Sequence, residues 1–405
     1  MARNIVVVGG GPAAVWAAIE AKKRDAAAEV VLLTDEACEP YEKPPLSKAV
    51  LLGKAQPEDA LIAGKDGLVA HGVAVKFNAR CETIDRARRE VVTASGRLPY
   101  DALVIATGSL MRTLPMLPPD MPRVHYLRTD PHARALKRDL AGCKHLVVVG
   151  AGLIGLEVAA SAAELGIEVT VLEVAPRVMA RACDEETGEL ILAEHRHHGV
   201  DVEVSTSITQ VTPQLDGDLA LETSEGDLFV ANLVVVGAGV KPDETLAAVA
   251  GLTVQDGIVV DEQCRTSDPN IFAAGDCTRF PGPDGMVRLE NWRHAQDHGA
   301  IAGRNAAGAS EAYRAVPSYW SEQYGLYIQG VGWPDPKAQR IRRPLPGKSA
   351  LLLEVRNGVL CYALGINAQR DLAAVRRLIE RKISVDSAAL ADPSQPFAAM
   401  LKAKA

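Results

Sequence analysis

The sequence lacks any pair of cysteines at the spacing of a redox or metal site. The number of cysteines is odd, and no two are separated by only two residues. A C-x-x-C spacing is typical of dithiol redox sites and zinc ribbons, and an even count is typical of a disulfide framework. We therefore expect no metal site and no disulfides, and a reducing, cytoplasmic setting fits best. The seven cysteines are Cys38, Cys81, Cys143, Cys183, Cys264, Cys277 and Cys361.

Long apolar runs are missing as well, because none reaches the roughly 20 residues that a membrane-spanning helix needs. The first letters, MARNIVVVGGG, enter an apolar strand at once, so no signal peptide is expected. A net charge of −7 disfavours wholesale binding of nucleic acid. The length of 405 residues and the hydrophobic content of 48% predict two or three domains with full cores.

One pattern occurs twice, at residues 5–18 (IVVVGGGPAAVWAA) and 146–160 (LVVVGAGLIGLEVAA). Each copy is an apolar strand, then closely spaced glycines, then an alanine-rich helix. The first glycine allows a tight turn, the second lets the backbone approach a pyrophosphate, and the third position must be small. The phosphates then meet the free N–H groups of the helix N-terminus. These positions are Gly9, Gly11 and Ala14 in the first copy, and Gly150, Gly152 and Gly155 in the second.

An acidic residue follows each copy at the distance that the dinucleotide-binding fingerprint requires. Asp35 and Glu36 end the next strand after the first copy, and Glu173 ends the one after the second. Two such sites in one chain suggest a flavin that exchanges electrons with a nicotinamide. A carboxylate at Glu173 would repel a 2′-phosphate, which favours NADH over NADPH, although Arg177 or Arg181 could accommodate that phosphate.

Three further apolar strands end in small or acidic residues: 100–109 in Thr107-Gly108, 266–277 in Gly275-Asp276, and 233–246. With the glycine motif, these segments resemble glutathione-reductase-like flavoproteins. In that family the aspartate that matches Asp276 reaches the ribityl chain and pyrophosphate of FAD. The alternative is that Asp276 merely caps the next helix.

A closer resemblance, over nearly the whole chain, is to the ferredoxin reductases that serve haem-thiolate monooxygenases and aromatic-ring dioxygenases. The matching segments are PYEKPPLSK (40–48), LRT (127–129), GLIGLEVAA (152–160), RLENWRHAQDHG (288–299), YWSEQYGLYIQ (319–329) and INAQRDLAAVRRLI (366–379). By position, the resemblance implies that FAD is contacted by Asp35, Lys48, Arg128, Asp276 and Trp292.

The resemblance also implies an α/β fold with two Rossmann-like dinucleotide-binding domains, for FAD and NAD, and a smaller α+β C-terminal domain. The FAD domain is interrupted by the NAD domain and resumes after it. We expect residues 1–112 and 235–312 to bind FAD, 113–234 to bind NAD, and 313–405 to form the docking or interface domain.

Lys48 stands behind two prolines in YEKPPLSKAV (41–50), where other branches of the superfamily carry a reactive cysteine. Without a cysteine, electrons go from the flavin directly to an outside acceptor, and an iron–sulfur protein takes them singly. A cation at Lys48 would stabilise negative charge near flavin N5. Relatives place the residue that matches Glu157 near this lysine, so we infer a Lys48–Glu157 pair that shifts when NADH binds. The alternatives are a solvated lysine and an acid that merely favours a helix N-terminus.

The C-terminal region carries no catalytic motif of its own. Asn357-Gly358 predicts a hairpin turn, and a helical pattern follows it. Two basic runs, 337–348 and 375–382, are either solvated faces or a docking surface for an acidic ferredoxin. Trp320 either lies near the flavin edge or belongs to the core.

The sequence therefore predicts a flavoprotein that passes electrons from NADH singly to a [2Fe-2S] ferredoxin serving an oxygenase. The first alternative is an NADH-dependent reductase of a small molecule, such as a quinone or the ascorbate radical, or of rubredoxin. A DNA-binding flavoprotein is a third reading, which the net charge of −7 disfavours. The choice between a monomer and a weak dimer stays open.

Overall fold

A computed structural model describes residues 2–401 and shows two parallel sheets and one antiparallel sheet, each with five strands. The first sheet is built from β-branched runs that are buried on both faces, as in sheets covered by other elements on each side. Alternate residues of its central strand, Asn4–Val8, enter the cores on the two faces. Its strands, in spatial order, are Ile271–Ala273, Ala102–Ile105, Asn4–Val8, Glu29–Leu33 and Ala74–Lys76.

Helices Pro12–Arg24 and Trp292–Ala306 cover one face of the first sheet and pack very closely against each other. Gly299 and Gly303 make this approach possible. A Cβ atom at Gly303 would lie 2.0 Å from the carbonyl oxygen of Ala17, and one at Gly299 would lie 2.2 Å from that of Ala13. The opposite face is covered by helix Thr245–Val249 and by an antiparallel sheet of Cys81–Asp85, Glu90–Thr93 and Gly96–Pro99.

The second sheet is also entirely parallel, and its strands are Asp201–Glu203, Glu168–Leu172, His145–Val149, Leu233–Val236 and Val124–His125 in spatial order. Its helices are Asp130–Leu140, Leu153–Glu164 and Glu185–His197. An antiparallel sheet of Ile208–Pro213, Leu219–Thr223 and Leu228–Ala231 packs on it. The division expected near residue 235 falls inside Leu233–Val236, which pairs within this second sheet. The chain therefore returns to the first unit only after Val236.

Two short strands mark the places where the chain passes between the parallel sheets. Ser109–Met111 leads out of the first sheet and Val240–Pro242 leads back, and the two pair antiparallel. The chain then adds Ile258–Val259, Thr278–Gly282 and Gly285–Val287 to the first unit as a small sheet. Three 3-10 helices, Pro44–Ser47, Pro57–Ala60 and Leu68–His71, precede the first crossing.

The C-terminal sheet is antiparallel and has the strand order Ser318–Gln323, Leu326–Gly332, Val359–Ile366, Ala350–Arg356 and Gln339–Pro344. The predicted hairpin is confirmed, because Asn357 and Gly358 have φ angles of 53° and 75° and connect two paired strands. Helix Gln369–Glu380 packs on one face, and helices Ser387–Ala391 and Phe397–Met400 complete that core. The other face packs against the second parallel unit. Among residues 2–401, no helix has the length and apolarity to cross a bilayer.

The close contact between the two helices of the first unit predicts that alanine at Gly303 destabilises the protein, which is the opposite of its usual effect in a helix. Alanine normally stabilises a helix relative to glycine. Here the added methyl group meets backbone atoms, so Gly303→Ala should lower the free energy of unfolding by about 1–3 kcal/mol. Urea denaturation of the purified protein measures this. Gly188→Ala is the comparison, because its Cβ would lie 3.2 Å from the carbonyl oxygen of Val178, a tight contact but far less severe than the 2.0 Å overlap at Gly303, so its cost should be smaller. An unchanged or higher stability of Gly303→Ala would contradict the packing argument.

Candidate active site

The first glycine turn leaves open space where a bound phosphate needs it. Gly9 has φ 137°, and a Cβ there would lie 2.1 Å from the carbonyl oxygen of Ala106, so only glycine fits. Gly11 is the N-cap of helix Pro12–Arg24, and no atom lies within 4 Å of the position of its Cβ. Ala14 is fully buried behind the turn. This turn therefore has a cradle at a helix N-terminus that fits a diphosphate.

The second glycine turn has the same distribution of contacts. A Cβ at Gly150 would lie 2.6 Å from the carbonyl oxygen of Gly237, and one at Gly155 would lie 2.0 Å from that of Gly150. Gly152 is the N-cap of helix Leu153–Glu164 and again faces space with no atom within 4 Å. Two glycines serve close packing, and the one between them leaves a cradle for a second diphosphate.

The acids that follow the first turn differ in their surroundings. Glu36 is half-buried, and its carboxylate accepts hydrogen bonds from the Tyr41 hydroxyl at 2.6 Å and from Lys43 Nζ at 2.5 Å. Asp35 is exposed. Glu36 thus anchors the segment that carries the two prolines, whereas Asp35 is accessible, and its contact with FAD stays a prediction.

Glu173, after the second turn, is fixed by the backbone of two loops. Its Oε2 accepts from the amide of Ala151 at 2.6 Å and its Oε1 from the amide of Ala175 at 2.7 Å. Arg177 donates to two backbone carbonyls, each at 2.9 Å, so its guanidinium is already committed to the loop. Arg181 is exposed and extends to Gly239, whose Cβ would lie 3.2 Å from Nη2. Of the two arginines, Arg181 is the one whose guanidinium makes no hydrogen bond among residues 2–401, so it is the one left to accommodate a 2′-phosphate.

Thr107, Gly108, Arg128 and Asp276 gather where strands of the first sheet end. The Thr107 hydroxyl donates to the carbonyl of Asp243 at 2.7 Å, and a Cβ at Gly108 would lie 3.2 Å from Arg128 Nη2. Removal from water raises the pKa of Asp276 to about 6, while the charge of Arg128 acts in the opposite direction. A carboxylate held among these groups fits a ligand that supplies hydroxyl donors.

Lys48 and Glu157 form an ion pair, with 3.0 Å between Nζ and Oε2. Pro44–Ser47 is a 3-10 helix that ends at Lys48, and Glu157 lies in helix Leu153–Glu164. The exposed fractions of the two side chains are 21% and 6%. The hydroxyls of Ser47 and Ser321 donate to the same carboxylate, at 2.5 and 2.7 Å. Lys48 is thus not simply a solvated residue, and its action on flavin stays a prediction.

Two tryptophans line the cleft of about 580 Å³ that contains this ion pair. The rings of Trp292 and Trp320 are 5.6 Å apart between centroids and meet edge to face at 76°. The indole N–H of Trp292 donates to Glu42, and burial raises the pKa of that carboxyl. Trp320 is half-buried and belongs to both the C-terminal sheet and the cleft wall.

Sequence reasoning missed three polar groups of this site: Glu42, Ser47 and Ser321. Glu42 and Ser47 lie inside the segment PYEKPPLSK, and Ser321 lies inside YWSEQYGLYIQ, but their contacts come from distant parts of the chain. The only available signal was their presence in segments that carry the family resemblance.

Comparison with known proteins now decides the family. The family model described as pyridine nucleotide-disulphide oxidoreductase matches residues 3–299, and one described as reductase C-terminal matches residues 318–401. This chain belongs to the pyridine nucleotide-disulphide oxidoreductases. Members of the family use FAD and NAD(H), so the cofactor prediction is confirmed together with the fold class.

The relatives narrow the branch of the family. The chain is 38% identical to the ferredoxin–NAD(+) reductase component of the anthranilate 1,2-dioxygenase system of Burkholderia cepacia, covering 96% of this chain and 97% of that protein. It is 39% identical to rhodocoxin reductase of Rhodococcus erythropolis, covering 81% and 78%. The covalent putidaredoxin reductase–putidaredoxin complex matches with a TM-score of 0.93 and 31% identity, covering 99% and 98%. The resemblance to ferredoxin reductases of oxygenase systems is therefore confirmed.

The fixed carboxylate of Glu173 predicts the nicotinamide preference. The wild type should use NADH better than NADPH by at least about tenfold in kcat/KM, or roughly 1.4 kcal/mol. Glu173→Ala should narrow this ratio, because it removes the charge that repels a 2′-phosphate. Steady-state kinetics with both nucleotides measure it, and Glu168→Ala, an exposed acid at the start of the same strand, is the control. Equal use of both nucleotides by the wild type would mean that Arg181 overrides the carboxylate.

Proposed function

We propose that this chain is an NADH-dependent ferredoxin reductase of an oxygenase system, acting in the cytoplasm. FAD, when bound, would supply the means to take a hydride from NADH and to pass the electrons one at a time to a [2Fe-2S] ferredoxin. The observation that carries the proposal is a cleft with a lysine paired to a buried glutamate, two tryptophans and no cysteine among its described lining residues. A thiol-free site favours an outside acceptor over a disulfide or peroxide.

The residues of the cleft have distinct tasks under this proposal. Glu157 holds the ammonium group of Lys48 on a backbone stiffened by Pro44 and Pro45, so the cation needs little reorganisation when negative charge develops beside it. Asp35 and Asp276 bind the hydroxyl groups of FAD, and Gly9, Gly11 and Ala14 admit its pyrophosphate. Trp292 and Trp320 exclude water from the wall of the cleft.

Two cations of the basic run 337–348 form ion pairs with acids of the second unit. Arg342 pairs with Asp184, and Lys348 pairs with Glu194 at 2.9 Å. Arg343 is buried and donates to backbone carbonyls of the C-terminal domain. These three cations therefore already have partners within the protein, and we expect them to contribute less to a docking surface than unpaired cations would.

In the second run, Arg376 is half-buried and donates to the carbonyl of Val316 at 2.7 Å, whereas the other cations are exposed and Arg370 precedes them on the same helix. Arg370, Arg377 and Arg381 are exposed and are separated by seven and four residues, so they lie on one face of the helix Gln369–Glu380 and its C-cap. Lys382 is exposed next to them. We call these four residues the arginine face, and we propose it as the surface that attracts an acidic ferredoxin.

The function is tested by NADH oxidation with two acceptors, a [2Fe-2S] ferredoxin of an oxygenase system and a neutral quinone dye. The double variant Arg377→Ser/Arg381→Ser should slow ferredoxin reduction roughly three- to tenfold at low ionic strength and leave the dye rate unchanged. High salt should remove the difference, because it screens exposed charges. Arg24→Ser/Lys65→Ser is a matched control, with the same change in net charge on exposed residues of the first unit.

Two outcomes would contradict the proposal at different points. Rapid reduction of the quinone without any reduction of ferredoxin would favour the small-molecule reductase. If the double variant and its control slow ferredoxin reduction equally, the proposed function stands, but the arginine face is not the docking surface. Rubredoxin belongs in the same assay, because the chain is also 34% identical to rubredoxin–NAD(+) reductase of Pseudomonas putida over 333 residues.

The ion pair predicts the behaviour of Lys48→Met, which keeps much of the side-chain length and removes the charge. Stopped-flow hydride transfer from NADH should slow by roughly 10–100-fold, or about 1.4–2.7 kcal/mol. The flavin potential should fall, and FAD should stay bound because the glycine turn and Asp276 are untouched. Glu157→Gln should have a smaller effect.

Lys54→Met is the matched control, since Lys54 lines the same cleft but is 65% exposed and pairs with Glu164. An unchanged rate and potential in Lys48→Met would remove its proposed role in the chemistry. Loss of FAD in that variant would instead assign Lys48 to cofactor binding.

A further inference from the structure

A chain of hydrogen bonds runs from the Glu157 carboxylate into the C-terminal and second domains. Ser321 Oγ lies 2.7 Å from Glu157 Oε1. Gln323 Nε2 lies 3.1 Å from Ser321 Oγ, and Gln323 Oε1 lies 2.7 Å from His195 Nε2. All four side chains are buried, and the exposed fractions of Glu157, Ser321, Gln323 and His195 are 5%, 0%, 3% and 1%, respectively.

The charge on Glu157 determines which group is the donor in each of these hydrogen bonds. A carboxylate that pairs with Lys48 only accepts hydrogen bonds, so the hydroxyl of Ser321 must donate to it. That hydroxyl then accepts from the amide N–H of Gln323, whose carbonyl oxygen is left facing His195. Because this oxygen needs a donor, the imidazole must carry its proton on Nε2.

Burial favours the neutral form of the His195 imidazole, which these hydrogen bonds require. Removal from water lowers the pKa of His195, which favours the neutral ring, while its contact with Gln323 acts in the opposite direction. Its Nδ1 is buried and has no hydrogen-bond partner among residues 2–401. A neutral ring with its proton on Nε2 and an unprotonated Nδ1 accounts both for the contact with Gln323 and for the missing partner of Nδ1.

We propose that Ser321 and Gln323 of the C-terminal sheet, with His195 of the second unit behind them, are positioning residues for hydride transfer from NADH. They hold the Glu157 carboxylate in one orientation, and through it the ammonium group of Lys48. The C-terminal domain therefore takes part in the reaction with NADH as well as in contact with an acceptor. This inference rests on the proposed function only in requiring that NADH reduces bound FAD.

The first test is anaerobic stopped-flow reduction of the FAD-loaded protein by NADH, without ferredoxin. Ser321→Ala should lower the limiting rate roughly three- to tenfold, the effect of one lost hydrogen bond to a charged group that matters in the transition state. The Kd of NADH should change much less, and Ser321→Thr, which keeps the hydroxyl, should restore most of the rate. Gln323→Met should act in the same direction with a smaller effect.

Ser318→Ala is the matched control, because Ser318 is a buried serine of the same strand that bonds to Arg376 at 3.3 Å and not to this chain. Equal rates for Ser321→Ala and Ser318→Ala would overturn the proposal. This assay contains no acceptor protein, so a failure of ferredoxin reduction and a failure of the positioning residues give separate results.

The second test needs neither cofactor nor turnover. Nitrogen-15 NMR of histidine-labelled protein without FAD should show His195 neutral, with its proton on Nε2 and protected from exchange. Its signal is assigned by its loss in His195→Gln. Gln323→Met should remove the protection, because the acceptor of that proton is gone. A proton on Nδ1 in the wild type would contradict the direction of the hydrogen bonds from His195 to Glu157 and overturn the proposal.

Discussion

The Glu157 carboxylate, paired with Lys48, is a buried charge at which all three units of the molecule meet. A carboxylate with 6% of its side chain exposed is costly unless its lone pairs are satisfied. The first unit supplies Lys48 and the Ser47 hydroxyl, and the C-terminal sheet supplies the Ser321 hydroxyl. Removing one donor leaves part of a buried charge uncompensated, so all three units are held to one arrangement at this point.

The glycine turns impose a second constraint, because they bring backbone so close that no side chain fits. Gly9 approaches the carbonyl of Ala106, and Gly150 approaches that of Gly237. In each turn the next glycine of the motif faces open space at a helix N-terminus. Tight packing on one side and an open cradle on the other are what a dinucleotide site requires. These two local geometries occur once in each parallel unit.

Features that depend on neighbouring residues could be predicted from the sequence. The glycine turns and the hairpin at Asn357 follow from local backbone preferences. Features that depend on distant partners could not. The run LVVV at 233–236 has the composition of a buried strand in either parallel sheet. Its pairing with His145–Val149 therefore could not be predicted from the sequence. Likewise, Arg342 and Lys348 are ordinary surface cations until the fold brings acids of the second unit to them.

The strand Ser318–Gln323 contributes both to the tryptophan wall of the cleft and to the ion pair. Successive side chains of a strand point to opposite faces. Trp320 accordingly meets Trp292, whereas Ser321, on the other face of the strand, donates to Glu157. Because one short strand carries both contacts, a displacement of it alters the tryptophan wall and the carboxylate together. The proposed arginine face belongs to the same domain, so the domain proposed to contact an acceptor also contributes the Ser321 hydroxyl to Glu157.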